Sequence, residues 1–103
     1  MAGTLTEQEA LTLTNALLAE YHLTDWTVEW DNDRILAGSS TQNTRRITLS
    51  RVMLAGRSDD VLIETIRHEV AHALTSGNHD EEWLAVLVSL GGTGAPWTKY
   101  DAD

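Results

Sequence analysis

A chain of 103 residues with 42% apolar side chains can bury one modest core, so a single domain over residues 1–103 is expected. It has no run of roughly 18 apolar residues to cross a membrane, and without cysteine it has neither disulfides nor thiolate metal sites. The formal net charge of −9 opposes tight binding to nucleic acid, which depends on neutralising phosphates with Lys and Arg.

The chain opens with Thr6-Glu7-Gln8-Glu9, the pattern of a capping box. Ala10, Leu13, Leu17 and Tyr21 follow at helical spacing and predict an amphipathic helix over 7–22. His22 falls at its end, where an imidazolium charge suits the helix dipole. Trp26, Val28 and Trp30 then alternate with Thr27, Glu29 and Asp31, the period of a half-buried strand. Tryptophans at that spacing read as core. Asp31-Asn32-Asp33 is rich in turn formers, and residues 34–38 are expected to return as a second strand. Residues 39–44 hold no apolar side chain and read as a loop. Residues 45–50 alternate again, with Ile47 and Leu49 on the inner face. Three strands with short links predict a meander.

Five arginines and no acidic residue lie between 34 and 57. They read as solvated strand faces that balance acidic neighbours. Arg45 and Arg51 fall on one strand face and Arg46 on the other, so no continuous basic patch is expected.

Ser58-Asp59-Asp60 supplies a cap and negative charge for a helix from about 59 to 75. Within it, His68-Glu69-Val70-Ala71-His72 forms H-E-x-x-H. Positions i and i+4 share a helix face, so His68 and His72 can aim at one ion, with Glu69 about 100° round the helix. Ile63, Ile66, Val70, Ala73 and Leu74 are expected on the opposite face, against the core, leaving the histidine face open to solvent. Gly77 suits a left-handed turn that would let His79 reach the same ion. Three neutral nitrogen ligands with an open position describe a catalytic zinc site. A second capping box at residues 78–81 is expected to start a helix over about 79–90, with Trp83, Leu84, Leu87 and Leu90 as its apolar stripe. Gly91-Gly92-Thr93-Gly94 ends it, and the tail from about 91 is expected to be poorly ordered.

His68-Glu69-x-x-His72-Ala73-Leu74, followed by a glycine-containing loop and His79-x-x-x-Trp83, resembles the SprT-like (Spartan-type) zinc metalloproteases. The segment Arg46-Ile47-Thr48-Leu49-Ser50 resembles the strand that precedes their active-site helix. The likeness departs in two places: Asp80 stands where the family usually has glycine, and no cysteine is present to form a zinc ribbon. It implies an α+β, zincin-like minimal core of a helix, a three-stranded sheet, the H-E-x-x-H helix and a closing helix. It also implies zinc-dependent hydrolysis of peptide bonds. His68, His72 and His79 are then the zinc ligands and Glu69 the general base that activates a water. Tyr100, the arginines and His22 all remain open as donors to the oxyanion. The alternative is an inactive zinc- or partner-binding module of the same fold.

The expected partner is a protein or peptide, laid as a strand on the sheet edge with residues 45–50 as the candidate strand. Strong nucleic-acid binding and membrane insertion are not expected. With no visible secretory signal, the default location is cytoplasmic.

Overall fold

Helix α1, Glu7–Glu20, begins where its capping box predicts. The Thr6 hydroxyl accepts the Glu9 backbone N–H at 3.0 Å, and the Glu9 carboxylate accepts the Thr6 N–H at 2.9 Å. Such a cap contributes about 1 kcal/mol. The helix stops two residues short of the predicted end. Tyr21 caps it, and His22 turns the chain through a left-handed φ of 62°. This computed structural model describes residues 3–75 and 79–93.

Strand β1 is Thr27–Asp31, β2 is Gly38–Thr41 and β3 is Arg46–Ser50. Two sequence-based expectations fail here. Of the strand predicted at 34–38 only Gly38 is extended in the sheet; before it the chain bends, and Asp33 Oδ1 accepts the N–H groups of Ile35 at 2.7 Å and Leu36 at 2.9 Å. Those bonds, Leu36 first, hold the Asp33 carboxyl below its ordinary range. The second strand instead lies in the polar stretch expected to be a loop.

Nor is the sheet a meander. Its order is β1-β3-β2, with β1 parallel and β2 antiparallel to β3. Ile47 and Leu49 are fully buried, so β3 takes the centre, where strands flank it on both sides. The segment linking β1 to β2 is pinned to the end of β3: Ser50 donates through its N–H to the Ala37 carbonyl at 2.8 Å and through its hydroxyl to the Asp33 carbonyl at 2.6 Å. A four-residue turn, 42–45, then closes the β2–β3 hairpin, with Arg45 at a φ of 52°.

Helix α1 packs on β1 against the apolar face of this sheet, and a second helix, α2 (Asp59–Leu74), packs on β2 and β3. The other face is polar. There Ser39 and Thr48 hydroxyls meet at 2.5 Å and Arg46 pairs with Glu29 at 3.1 Å. Trp26 is buried in the core, while Trp30 packs beside it and donates its indole N–H to the Glu7 carbonyl at 3.0 Å.

Helix α2, Asp59–Leu74, is capped by Ser58 and runs through the middle of the molecule. Asp59 in its first turn also holds the N-terminal segment, accepting from Leu5 N–H at 3.0 Å and from the Thr4 N–H and hydroxyl at 2.8 Å each. These bonds, Leu5 foremost, lower the pKa of its carboxyl. Leu62, Ile66 and Val70 form the core stripe of α2. Burying a side chain of this size contributes about 1.5–3 kcal/mol.

Helix α3, Glu81–Ser89, starts on Asp80 rather than on the residue-78 cap that the sequence suggested. The Asp80 carboxylate accepts the Trp83 N–H at 2.9 Å, while Asn78 itself lies outside the described residues. Past α3, Gly91 takes a left-handed φ of 95°, which favours glycine. At the start of the tail Arg67 donates to the Gly91 carbonyl at 3.1 Å, and Thr93 N–H donates to Glu64 at 2.9 Å. The rest of the tail, 94–103, lies outside the described residues. Among the described residues no helix is long and apolar enough to cross a membrane.

Candidate metal centre

One turn of α2 carries His68, Glu69 and His72, and the residue before the α3 cap is His79. Their ring nitrogens converge. His79 Nε2 lies 3.1 Å from His68 Nε2 and 3.1 Å from His72 Nε2. Among the described residues these three form the group able to hold a metal, with ligand atoms all within 4.8 Å of one another. Tetrahedral ligands at the usual zinc–nitrogen distance of about 2.0–2.1 Å stand ~3.4 Å apart. The donor set and its spacing therefore fit one zinc-sized ion. His22 is not in this group. The Gly77 turn expected to bring His79 round, like Tyr100, lies outside the described residues.

The histidine face of α2 is not open, contrary to expectation. His68 and His72 are 1% exposed and Glu69 is fully buried, so both sides of the helix are covered. On one side the indole of Trp83 lies over the imidazoles. On the other stands β2. Of the three ligand candidates only His79 is exposed.

Strand β2 does more than cover the helix. Gly38 and Ser40 in the strand, and Gln42 just past its end, alternate along the face it turns to α2. The Ser40 hydroxyl lies 2.8 Å from Glu69 Oε1 and 2.9 Å from the Glu69 carbonyl oxygen, and its single proton serves both. Gln42 donates its amide to the His72 carbonyl at 2.8 Å. A Cβ at Gly38 would stand 3.1 Å from Glu69 Cγ, from Glu69 Oε2 and from Thr65 Cγ2. That contact is tighter than most packed atoms make, so a side chain there would require Glu69 or Thr65 to give way by a few tenths of an ångström. The sequence reading missed all three residues. They lie in an unbroken polar stretch, Gly38-Ser39-Ser40-Thr41-Gln42, which carries no apolar alternation.

Position 45–50 as the substrate edge is also overturned, because β3 is the central strand and both its edges are paired. Three arginines of the 34–57 stretch pair with acidic neighbours: Arg45 with Asp25, Arg46 with Glu29 and Arg51 with Glu7.

In overall shape the chain is similar to two solved structures. One is the metallopeptidase zymogen jannalysin of Methanocaldococcus jannaschii, at a TM-score of 0.67 and 17% identity, covering 84% of this chain and 82% of that one. The other is the metallopeptidase zymogen abylysin of Pyrococcus abyssi, at a TM-score of 0.61 and 14% identity, covering 80% of this chain and 76% of that one. At such identities the likeness establishes the fold, an α+β core shared with small metallopeptidases. No curated protein sequence matches the chain. The SprT-like family, in contrast, matches residues 6–101, nearly the whole sequence, with the H-E-x-x-H helix, His79 and Trp83 inside the matched span. The chain belongs to the SprT-like family.

Proposed function

We propose that the protein is a zinc-dependent metalloendopeptidase in which His68, His72 and His79 hold the ion and Glu69 is the general base. The observation that carries this reading is the approach of three imidazole Nε2 atoms to one point, beside the glutamate of the H-E-x-x-H motif. Family membership and a fold shared with two metallopeptidases support it. Zinc bound there supplies a water with a pKa near 7 and polarises the substrate carbonyl. The Glu69 carboxylate, steadied at Oε1 by Ser40, takes the proton of the attacking water and passes it to the leaving amine. An extended peptide adds to the sheet beside β2, the edge strand that touches Glu69. Main-chain pairing of that kind tolerates many sequences.

Glu69→Gln keeps the shape but accepts no proton. Zinc content is expected to stay at the parent level while hydrolysis of a loosely folded protein falls by about two orders of magnitude or more. Equal cleavage by parent and variant would remove Glu69 from the mechanism. A parent that binds zinc and cleaves nothing would favour the inactive binding module instead.

The substrate is a protein without a required nucleic-acid partner. A net charge of −9, with Arg45, Arg46 and Arg51 paired to acids, weighs against holding a phosphate backbone. Labelled DNA titrated at about 150 mM salt is expected to show no micromolar binding; tight binding abolished by replacing Arg45 and Arg46 would contradict this.

A further inference from the structure

We propose that Trp83 is a positioning residue of the metal centre, the floor on which all three imidazoles are ordered. The inference rests on the metal reading above and assigns a role to a residue that coordinates nothing. The indole meets His68 edge-on at a centroid distance of 4.8 Å and His79 edge-on at 4.7 Å, and it lies nearly parallel to His72 at 5.5 Å and 25°. Its N–H reaches the His68 carbonyl at 3.3 Å, fastening the ring to the helix that carries two of the ligands. Trp83 is 7% exposed, so these contacts are made inside the protein rather than in water.

The third ligand depends on it most. His68 and His72 share a rigid helix, whereas His79 precedes α3 and is exposed. Two devices on α3 place it. Asp80 caps the helix and accepts the N–H of Trp83 at 2.9 Å, which fixes the first turn. Trp83, four residues beyond His79, then sets its ring against the His79 imidazole. This gives Asp80 a use at the position where the family usually has glycine. Metal ligands held by packed outer groups lose less rotamer freedom on binding, and losing such a group typically weakens metal affinity by about tenfold or more.

The test compares Trp83→Phe, which keeps an aromatic face, with Trp83→Leu, which fills space without one. Each is purified as the full chain, checked for folding by circular dichroism, and titrated with zinc against a chromophoric chelator. Trp83→Leu is expected to bind zinc about tenfold more weakly or worse, with Trp83→Phe close to the parent. A folded Trp83→Leu variant that binds zinc as the parent does overturns the proposal. So does a Phe variant as weak as the Leu one.

A second reading does not depend on the Leu variant folding. Cobalt(II), which quenches indole emission at short range, should dim the parent by a fraction that is missing in Trp83→Phe. Equal quenching of parent and Phe variant also overturns the proposal. A parent that binds neither zinc nor cobalt would instead refute the metal reading itself.

Discussion

Helix α2 and strand β2 face each other across Glu69, yet they are written in different alphabets. The helix carries a core stripe of Leu62, Ile66 and Val70 and a motif with metal-ligand spacing. The strand reads Gly-Ser-Ser-Thr, with no apolar residue at all. Hydrophobic periodicity reports the contrast between core and water. It is silent on a strand of small polar residues, and at Gly38 the Glu69 side chain already stands 3.1 Å from where a Cβ would be. The chemistry-bearing residues are legible, and the surface that positions them is not.

Filling the strand is the harshest way to break this arrangement. Gly38→Val would push against Glu69 and Thr65 at a point where a Cβ alone already stands 3.1 Å from both. Overpacking of this kind costs about 1–3 kcal/mol, to be read in thermal denaturation. The displaced carboxylate should lower hydrolysis by roughly 100-fold, as small misplacements do. Zinc binding should survive, because Gly38 touches no ligand among its three nearest contacts. Full activity in this variant would mean that the close approach of β2 to Glu69 is incidental.

Removing one atom sharpens the same comparison more gently. Ser40→Ala deletes the hydroxyl at Glu69 Oε1 and leaves the strand in place. Its expected effect is a fall in kcat of about tenfold, with KM and zinc affinity unchanged. An equal rise in KM would point to substrate binding instead of support of the base.

The rest of the sheet was illegible for a related reason. Alternation at Val28 and Trp30, and at Ile47 and Leu49, identifies two strands correctly and says nothing of their order. The parallel pairing of β1 with β3 depends on where the 32–37 link carries the chain. That path is fixed by Asp33 folding over the Ile35 and Leu36 N–H groups and by Ser50 catching the Ala37 and Asp33 carbonyls. No periodicity encodes those bonds.

Local chemistry was read more faithfully. The Thr6 and Glu9 capping box, the Ser58 cap and the convergence of His79 with His68 and His72 are all present. The start of α3 was misplaced because Asn78 and Asp80 are both good caps, and only the observed bond from Trp83 N–H distinguishes them. The covered histidine face was missed because covering it takes Trp83 from α3 and a strand that sequence periodicity did not show.

The claim that organises all of this is that two histidines of α2 and a third just ahead of α3 hold one ion. It is tested most directly by a zinc titration of metal-free protein, parent against His79→Ala, with circular dichroism to follow the fold. His79 is exposed, so its removal should leave the core intact. The account predicts one zinc per chain for the parent, and affinity weakened by at least about tenfold in a variant that remains folded. A folded His79→Ala protein that binds one zinc as tightly as the parent would contradict it, and Asp80 or Glu82 would have to be sought as the third ligand.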